Sequence, residues 1–310
     1  TGRSSVGMLL VNRNGGGTDN QTYAVDGRWG LGERVTLSGF VARTQTADIA
    51  KDDHAARLFA GYNSKVWSLH AALMEVGEGF NPEVGFLSRR GFQHLELFGL
   101  RSSRPKNRNS SVLEYRPHAS YRAYWDFDGF LESARLHLDH SLEFKSGAGL
   151  AMGVNQVHEG IKTAFEISSG VNVPARDYND WEFFSHYNSN SSAALSFNVN
   201  FQGGGFFGGN RLGVGSAINY RISESFKTSL SFDYNDIDLP EGSFDVGLTN
   251  FRMSYSFTPK ISIAAQIQHN DRDQVLATNL RFSWIQDANA GLFIVYNETN
   301  DDINLPGRPR

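Results

Sequence analysis

Ala193-Ala194-Leu195-Ser196-Phe197-Asn198-Val199-Asn200-Phe201-Gln202 alternates in character residue by residue. Ala193, Leu195, Phe197, Val199 and Phe201 share one parity, and Ala194, Ser196, Asn198, Asn200 and Gln202 share the other. Side chains along a strand project alternately to its two faces, so the stretch predicts a β-strand with one apolar and one polar side. The pattern recurs outward in both directions. Leu212, Val214, Ile218, Tyr220 and Ile222 oppose Arg211, Asn219 and Arg221. Phe226, Leu230, Phe232 and Tyr234 oppose Lys227, Ser229, Ser231, Asp233 and Asn235. Phe251, Met253, Tyr255 and Phe257 alternate with Arg252, Ser254 and Ser256, and Leu280, Phe282 and Trp284 with Asn279, Arg281 and Ser283. No segment sustains a 3.6-residue stripe over three turns, which makes the chain all-β.

Composition narrows the function classes. The 310 residues include no Cys, 40% are hydrophobic and 20% charged, and the net charge is −4. A disulfide framework, a thiolate metal site and a Cys nucleophile are thereby excluded. A charge so close to zero argues against binding nucleic acid through phosphate neutralisation. The abundance of aromatics, 23 Phe, 11 Tyr and 5 Trp, argues against disorder. A membrane-spanning helix needs about 18 consecutive apolar residues, and the longest apolar run is of the order of Leu292 to Tyr296. No signal peptide opens the chain at Thr1, as expected of a mature protein or an excerpt from a longer one.

Turn signals punctuate the strands. Leu31-Gly32-Glu33, Asn63-Ser64-Lys65, Lys145-Ser146-Gly147, Ile222 to Ser225 and Thr258-Pro259-Lys260 read as short turns. Asn12 to Asn20, Thr44 to Asp53, Val76 to Gly91, Val157 to Tyr178, Gly203 to Asn210, Asn235 to Asp245 and Asn270 to Gln274 read as longer polar connections. Apart from a tight Asp126 to Gly129 turn, short and long alternate, the loop asymmetry of an outer-membrane barrel. The scheme predicts about 17 strands of roughly 9–14 residues, enough to cross a bilayer when tilted. Bacterial single-chain barrels have even strand numbers. The tail Thr299 to Arg310 reads as a long external loop, so a further strand beyond Arg310 would bring the total to about 18. A miscounted hairpin near Ile161 to Ile167 is the alternative and gives about 16.

A soluble β-sandwich also alternates. Three features favour the membrane barrel: the length of the strands, charges distributed along the whole polar parity, and aromatics near strand ends. Tyr23 and Trp29, Tyr115 and Trp125, and Trp181 and Tyr187 have the placement of interfacial girdles. The expected fold is an antiparallel up-and-down transmembrane β-barrel forming a single domain over residues 1–310, integral to the bacterial outer membrane, with lipid and lipopolysaccharide as its surroundings.

Specific words in the sequence carry a resemblance. Phe80-Asn81-Pro82-Glu83-Val84-Gly85-Phe86 precedes Ser88-Arg89-Arg90, and Phe165-Glu166-Ile167 precedes Gly170-Val171-Asn172-Val173-Pro174-Ala175-Arg176-Asp177-Tyr178. Leu239-Pro240-Glu241-Gly242-Ser243-Phe244, Leu280-Arg281-Phe282-Ser283-Trp284 and Leu292-Phe293-Ile294-Val295-Tyr296-Asn297-Glu298 follow in order. This set resembles a family of Gram-negative bacterial proteins of undefined function, in which a carbohydrate-binding family-9-like domain precedes a C-terminal outer-membrane-type barrel. The resemblance covers nearly the whole chain. It implies a periplasmic N-terminal domain absent from this chain and a last strand after the loop that follows Glu298. It carries no catalytic residues.

Candidate site residues come from the polar parity. Glu114, Arg116, His118, Ser120 and Arg122 form one stripe; Arg135, His137, Asp139, Ser141 and Glu143 form another. The Asp126 to Gly129 turn makes the two stripes hairpin neighbours facing the lumen. Such a wall either sets local fields for permeating solutes or braces the barrel through cross-strand ion pairs. Pro117, which lacks a backbone donor, is expected to mark a bulge. The Val76 to Gly91 loop, with Phe80, Asn81, Glu83, Arg89 and Arg90, either folds inward as a constriction or packs on the surface. The Val157 to Tyr178 loop is a parallel case. The acidic groups Asp48, Asp52 and Asp53; Asp236, Asp238 and Glu241; Asp271 and Asp273; and Asp301 and Asp302 match no calcium loop and read as solvated charge. No catalytic, metal or cofactor motif stands out: there is no nucleophile elbow, His-Glu-x-x-His or phosphate-binding loop, and His137 and His140 fall on opposite faces. The expected function is a channel or transporter-like pore for small hydrophilic solutes, saccharides among them. The alternatives are a loop-plugged barrel anchoring a carbohydrate-binding domain, and an outer-membrane hydrolase with a Ser, His and Asn or Asp site on its outer wall.

Overall fold

The computed structural model describes residues 2–15, 18–46, 51, 53–287 and 290–300. The strands are β1 (Ser5–Gly15), β2 (Thr18–Leu31), β3 (Val35–Thr46), β4 (His54–Asn63), β5 (Trp67–Val76), β6 (Phe92–Arg101), β7 (Val112–Trp125), β8 (Leu131–Phe144), β9 (Gly149–Gly160), β10 (Phe165–Ser168), β11 (Val171–Val173), β12 (Asp177–Asn188), β13 (Leu195–Phe206), β14 (Gly209–Arg221), β15 (Phe226–Leu239), β16 (Gly242–Thr258), β17 (Ile261–Asn270), β18 (Val275–Asp287) and β19 (Ala290–Asn300). Seventeen of them form one antiparallel sheet. Each pairs with the next in the chain from β1 to β9, then β9 with β12, then onward to β19. β10 and β11 form a separate small hairpin within the β9–β12 connection. The 17-stranded sheet matches the count read from periodicity, not the alternative of 16; the hairpin suspected near Ile161 to Ile167 exists but stands outside the sheet.

The apolar parity is the exposed one. Leu58 is 61% exposed, Leu195 57% and Ile218 52%. In a sandwich these side chains would be buried between two layers; here each strand's main neighbours are its own ladder partners, and among the described residues no second sheet covers that face. A broad apolar band left open by strands of 10 to 17 residues is the outer wall of a transmembrane barrel. Each strand hydrogen-bonds along its ladders, β1 and β19 on one side and the other strands of the sheet on both among the described residues, which satisfies the paired backbone where no water is present. The architecture is therefore an all-β, up-and-down barrel of the outer-membrane type.

Local chemistry sets the turns. Asp126 Oδ1 accepts from the N–H groups of Asp128 at 3.0 Å and Phe130 at 2.8 Å, and Gly129 takes φ +85°, so β7 reverses tightly into β8. The two longest connections, 77–91 and 161–176, lie at the same end of the strands. Several expected long loops are instead strand. Asn12 to Gly15 and Thr18 to Asn20 pair as the ends of β1 and β2, Gly203 to Asn210 is taken up by β13 and β14, and Asn235 to Asp245 by β15 and β16. Phe207 and Gly208, at φ 47° and 77°, make the tight turn between β13 and β14. Conversely, 102–111 is a long connection at the end of otherwise short turns. Thr299 and Asn300 belong to β19; the rest of the expected tail loop, 301–310, and any strand after it lie outside the described residues.

Pro117 marks no bulge. It pairs in register with His140, and the irregularities of the β7–β8 ladder fall between Val112 and Glu114 and between Tyr124 and Trp125. Tyr115 exchanges both backbone hydrogen bonds with Ser103, so the N of Pro117, two residues on, also points toward the β6 side. There the β6–β7 ladder has already ended at Leu100 and His118. The missing donor falls where none is required.

Candidate functional site: a charged inner wall and two inward loops

The register confirms the hairpin geometry of the charged stripes. Glu114 lies opposite Glu143, Arg116 opposite Ser141, His118 opposite Asp139, Ser120 opposite His137 and Arg122 opposite Arg135. Two of these pairs bring like charges together, which on their own would repel. Each is resolved sideways. Arg122 turns to Glu96 on β6 at 3.0 Å, and Arg135 pairs with Glu182 on β12. Arg116 stands between the two glutamates, 2.5 Å from Glu143 and 4.0 Å from Glu114.

Glu182 is the hub. It is 7% exposed and binds Arg135, Arg211 at 3.1 Å, Asn155 Nδ2 at 2.8 Å and Gln202 Nε2 at 2.5 Å. Strands β8, β9, β12, β13 and β14 are thus joined through one carboxylate. Beside it runs a row of rings across the wall: His70 on Phe98 at 4.8 Å, Phe98 to His118 at 5.6 Å, His118 to His137 at 4.7 Å and His137 on Phe184 at 5.1 Å. The ion pairs cross-link neighbouring strands of the wall, while the side chains of Arg122 and Arg135 stay 59% and 50% exposed. A cavity of about 330 Å³ opens on it, lined by Arg122, Tyr124, Arg135, Glu182, Phe206 and Arg211.

The 77–91 loop folds against the inner face. Phe80 is buried with Ala55, Val76 and Phe92, and packs against Phe40, Met74 and Tyr124. Asn81 donates its N–H to Thr44 Oγ1 at 2.9 Å, and its carbonyl accepts from Asn20 Nδ2 at 2.8 Å. Glu83 pairs with Arg13 on β1, and Arg89 with Glu132 on β8 while lying over the rings of Phe92 and Tyr124. Arg90 is exposed, with no ion pair among the described residues. Of the five residues expected in a constriction, four are anchored and Arg90 is not.

The 161–176 loop behaves alike. Val171 and Val173 of β11 bury against Tyr178, Ile237 and Leu239, with Phe206, Phe207 and Phe244 around them. Ile237 lies opposite Arg211, on the inner parity. Arg272 donates to Ser168 Oγ at 2.7 Å, and Lys162 pairs with Asp126. That hydrogen bond from Lys162, with backbone donation from Phe130 and Asp128, holds the Asp126 carboxyl below its usual range against the opposing pull of desolvation. The same contact pushes Lys162 up.

The acidic groups are mostly engaged locally. Asp53 pairs with Arg43 at 3.0 Å, Asp271 Oδ1 accepts from the Gly247 N–H at 2.6 Å and Asp273 from Asn270 Nδ2 at 2.8 Å. Asp236 and Asp238 sit in β15 rather than in a loop; Asp48, Asp52, Asp301 and Asp302 lie outside the described residues. Among the described residues no Ser hydroxyl is hydrogen-bonded to a His ring; His54 on the outer parity bonds Glu75 at 3.1 Å. His118, His137 and Asp139 were each visible in the sequence as wall residues, but not as a group: their ring nitrogens and carboxylate oxygen lie within 4.8 Å of one another.

No family model and no curated protein matches the chain. Among solved structures it is similar to in-vitro folded OmpT, an outer membrane protein of Vibrio cholerae, at 11% identity over 93% of this chain and 89% of that one, with a TM-score of 0.43.

Proposed function

We propose that the barrel is an outer-membrane pore for small hydrophilic solutes, narrowed at its outer mouth by the 77–91 and 161–176 loops. The observation that carries this reading is the tethering of Asn81 to Asn20 and Thr44 on the inner face. A loop held there restricts a channel instead of covering a surface. Both long loops rise from the end that corresponds to the cell exterior in barrels of this kind. Below them the wall offers paired cations and carboxylates around Glu182, with Tyr124 and Phe206 beside the same cavity. Ring faces next to hydrogen-bonding charges suit a polyhydroxylated solute, whose C–H faces stack while its hydroxyls bond. Saccharides are therefore the solute class we favour. The resemblance to barrels that follow a carbohydrate-binding domain supports the same class, with the periplasmic domain receiving what passes. Planar-bilayer recording of the refolded chain tests the reading. Discrete conductance steps that fall when oligosaccharide is added are expected; a sealed barrel with no steps would leave the anchoring role instead.

A further inference from the structure

We infer that His118, His137 and Asp139 form a binding site for a first-row divalent transition-metal ion on the inner wall of the barrel. Glu182 sets the orientation of the neighbouring amide. A carboxylate held by two arginines is an acceptor only, so the Asn155 group 2.8 Å from it is the NH₂. That leaves Asn155 Oδ1 facing His137 Nδ1 at 2.6 Å, where it accepts the ring's proton. With Nδ1 engaged by Asn155, the other ring nitrogen, Nε2, is turned toward Asp139 Oδ2, 3.9 Å away. A nitrogen and a carboxylate oxygen at that separation leave a gap that one metal ion can bridge.

Asp139 is the carboxylate that both rings face. Its side chain is 5% exposed, and Oδ1 is in contact with His118 Nδ1 as an ion pair. Among the described residues, Oδ2 accepts from Ser141 Oγ at 3.2 Å. One donor atom from each of the three residues lies within 4.8 Å of the others. Two imidazoles and one carboxylate select zinc, copper, nickel or iron(II) over calcium and magnesium, which require oxygen ligands. Phe98, tilted against His118 at 5.6 Å, and Phe184, stacked on His137, flank the two rings, and Asn155 is the outer hydrogen-bond partner that fixes a ligating imidazole. Both rings are about one-fifth exposed, at 20% and 22%, so the remaining coordination positions face the interior space. Arg116, the cation nearest by sequence, is drawn away by Glu143 at 2.5 Å. The site does not depend on whether the barrel conducts.

The test uses the untagged full chain refolded in detergent, with folding verified by circular dichroism. Zn²⁺ is titrated by calorimetry, and Cu²⁺ is read by electron paramagnetic resonance. One Zn²⁺ per chain, no heat with Ca²⁺, and copper coupling to two nitrogens are expected. Asp139→Asn and His137→Gln lose the binding, Asn155→Leu weakens it roughly 10–100-fold, and His186→Ala leaves it unchanged. Wild-type protein that takes up no Zn²⁺, or uptake equal in all four variants, overturns the assignment; the copper spectrum of the wild type decides the matter if a variant does not fold.

Discussion

Asn20 Nδ2 donates to the main-chain carbonyl of Asn81 at 2.8 Å, across a sequence separation of 61 residues. The bond ties the β5–β6 connection to β2, and Asn20, 1% exposed, has its other contact in Thr46 Oγ1 at 2.7 Å. Thr44, fully buried beside it, accepts from the Asn81 N–H. Removing a buried partner leaves the other group unsatisfied at about 1–3 kcal/mol. The pair of substitutions Asn20→Ala and Thr44→Val is therefore expected to free the loop. Conductance should rise and externally added protease should cut within 77–91; unchanged current together with an intact loop would show that these bonds do not hold it.

The second loop carries a pH-sensitive tether. Lys162 depresses the Asp126 carboxyl, so the pair's contribution is complete above the ordinary aspartate value of about 3.9 and disappears as pH falls through the lowered folded value. On the alkaline side Lys162 is raised, and the contact persists until pH passes that raised value. Hydrogen exchange of the β10–β11 hairpin should accelerate between pH 6 and pH 3, beyond the intrinsic rate change. Asp126→Asn should show fast exchange at both. A wild-type hairpin equally protected at both pH values contradicts the tether.

Glu182 neutralises Arg135 and Arg211 on the wall. Glu182→Gln leaves both cations in excess and should shift permeability toward anions by roughly a few-fold. The reversal potential in a salt gradient reads this directly. A shift toward cations, or none, would place Glu182 away from the ion path.

Gly204 has φ +144°, and an added Cβ there would run into the Trp181 carbonyl. It lies opposite Glu182 in the ladder, so backbone and hub meet at this point. Gly204→Ala should destabilise the barrel by about 1–3 kcal/mol, seen as a lower urea midpoint with the slope unchanged. A midpoint equal to wild type would mean the strand relaxes without loss.

The parts of this fold that depend on local pattern were legible in the sequence. Alternation from Leu195 to Gln202 gives both the strand and the face it shows to lipid, because side-chain direction follows residue parity. The short turn at Asp126 is enough to bring the stripe of Arg122 and His118 beside that of Arg135 and Asp139, and the ladder pairs them in that way. What was not legible is long-range. Nothing near Phe80 or Asn81 encodes Thr44 or Phe40 as partners. Gly203 to Asn210 and Asn235 to Asp245 looked like loops because Gly, Pro and Asp are rare in strands, yet these segments close two neighbouring hairpins, β13–β14 and β15–β16, whose side chains Phe206, Ile237, Leu239 and Phe244 pack with Val171 and Val173. The grouping of His118, His137 and Asp139 needed the register together with the Glu182–Asn155 contact from two further strands. Pro117 misled because its effect depends on where a neighbouring strand stops.

On alternate residues of each strand, an apolar surface faces lipid and a polar surface faces water. The absence of Cys makes a direct measurement of this alternation possible. Single Cys substitutions at 195 through 200 on β13, spin-labelled and reconstituted in liposomes, report collision with oxygen in lipid and with a water-soluble nickel chelate. A two-residue period is predicted, with 195, 197 and 199 in contact with oxygen and 196, 198 and 200 with the chelate. Equal accessibility at neighbouring positions, or the opposite phase, would contradict it.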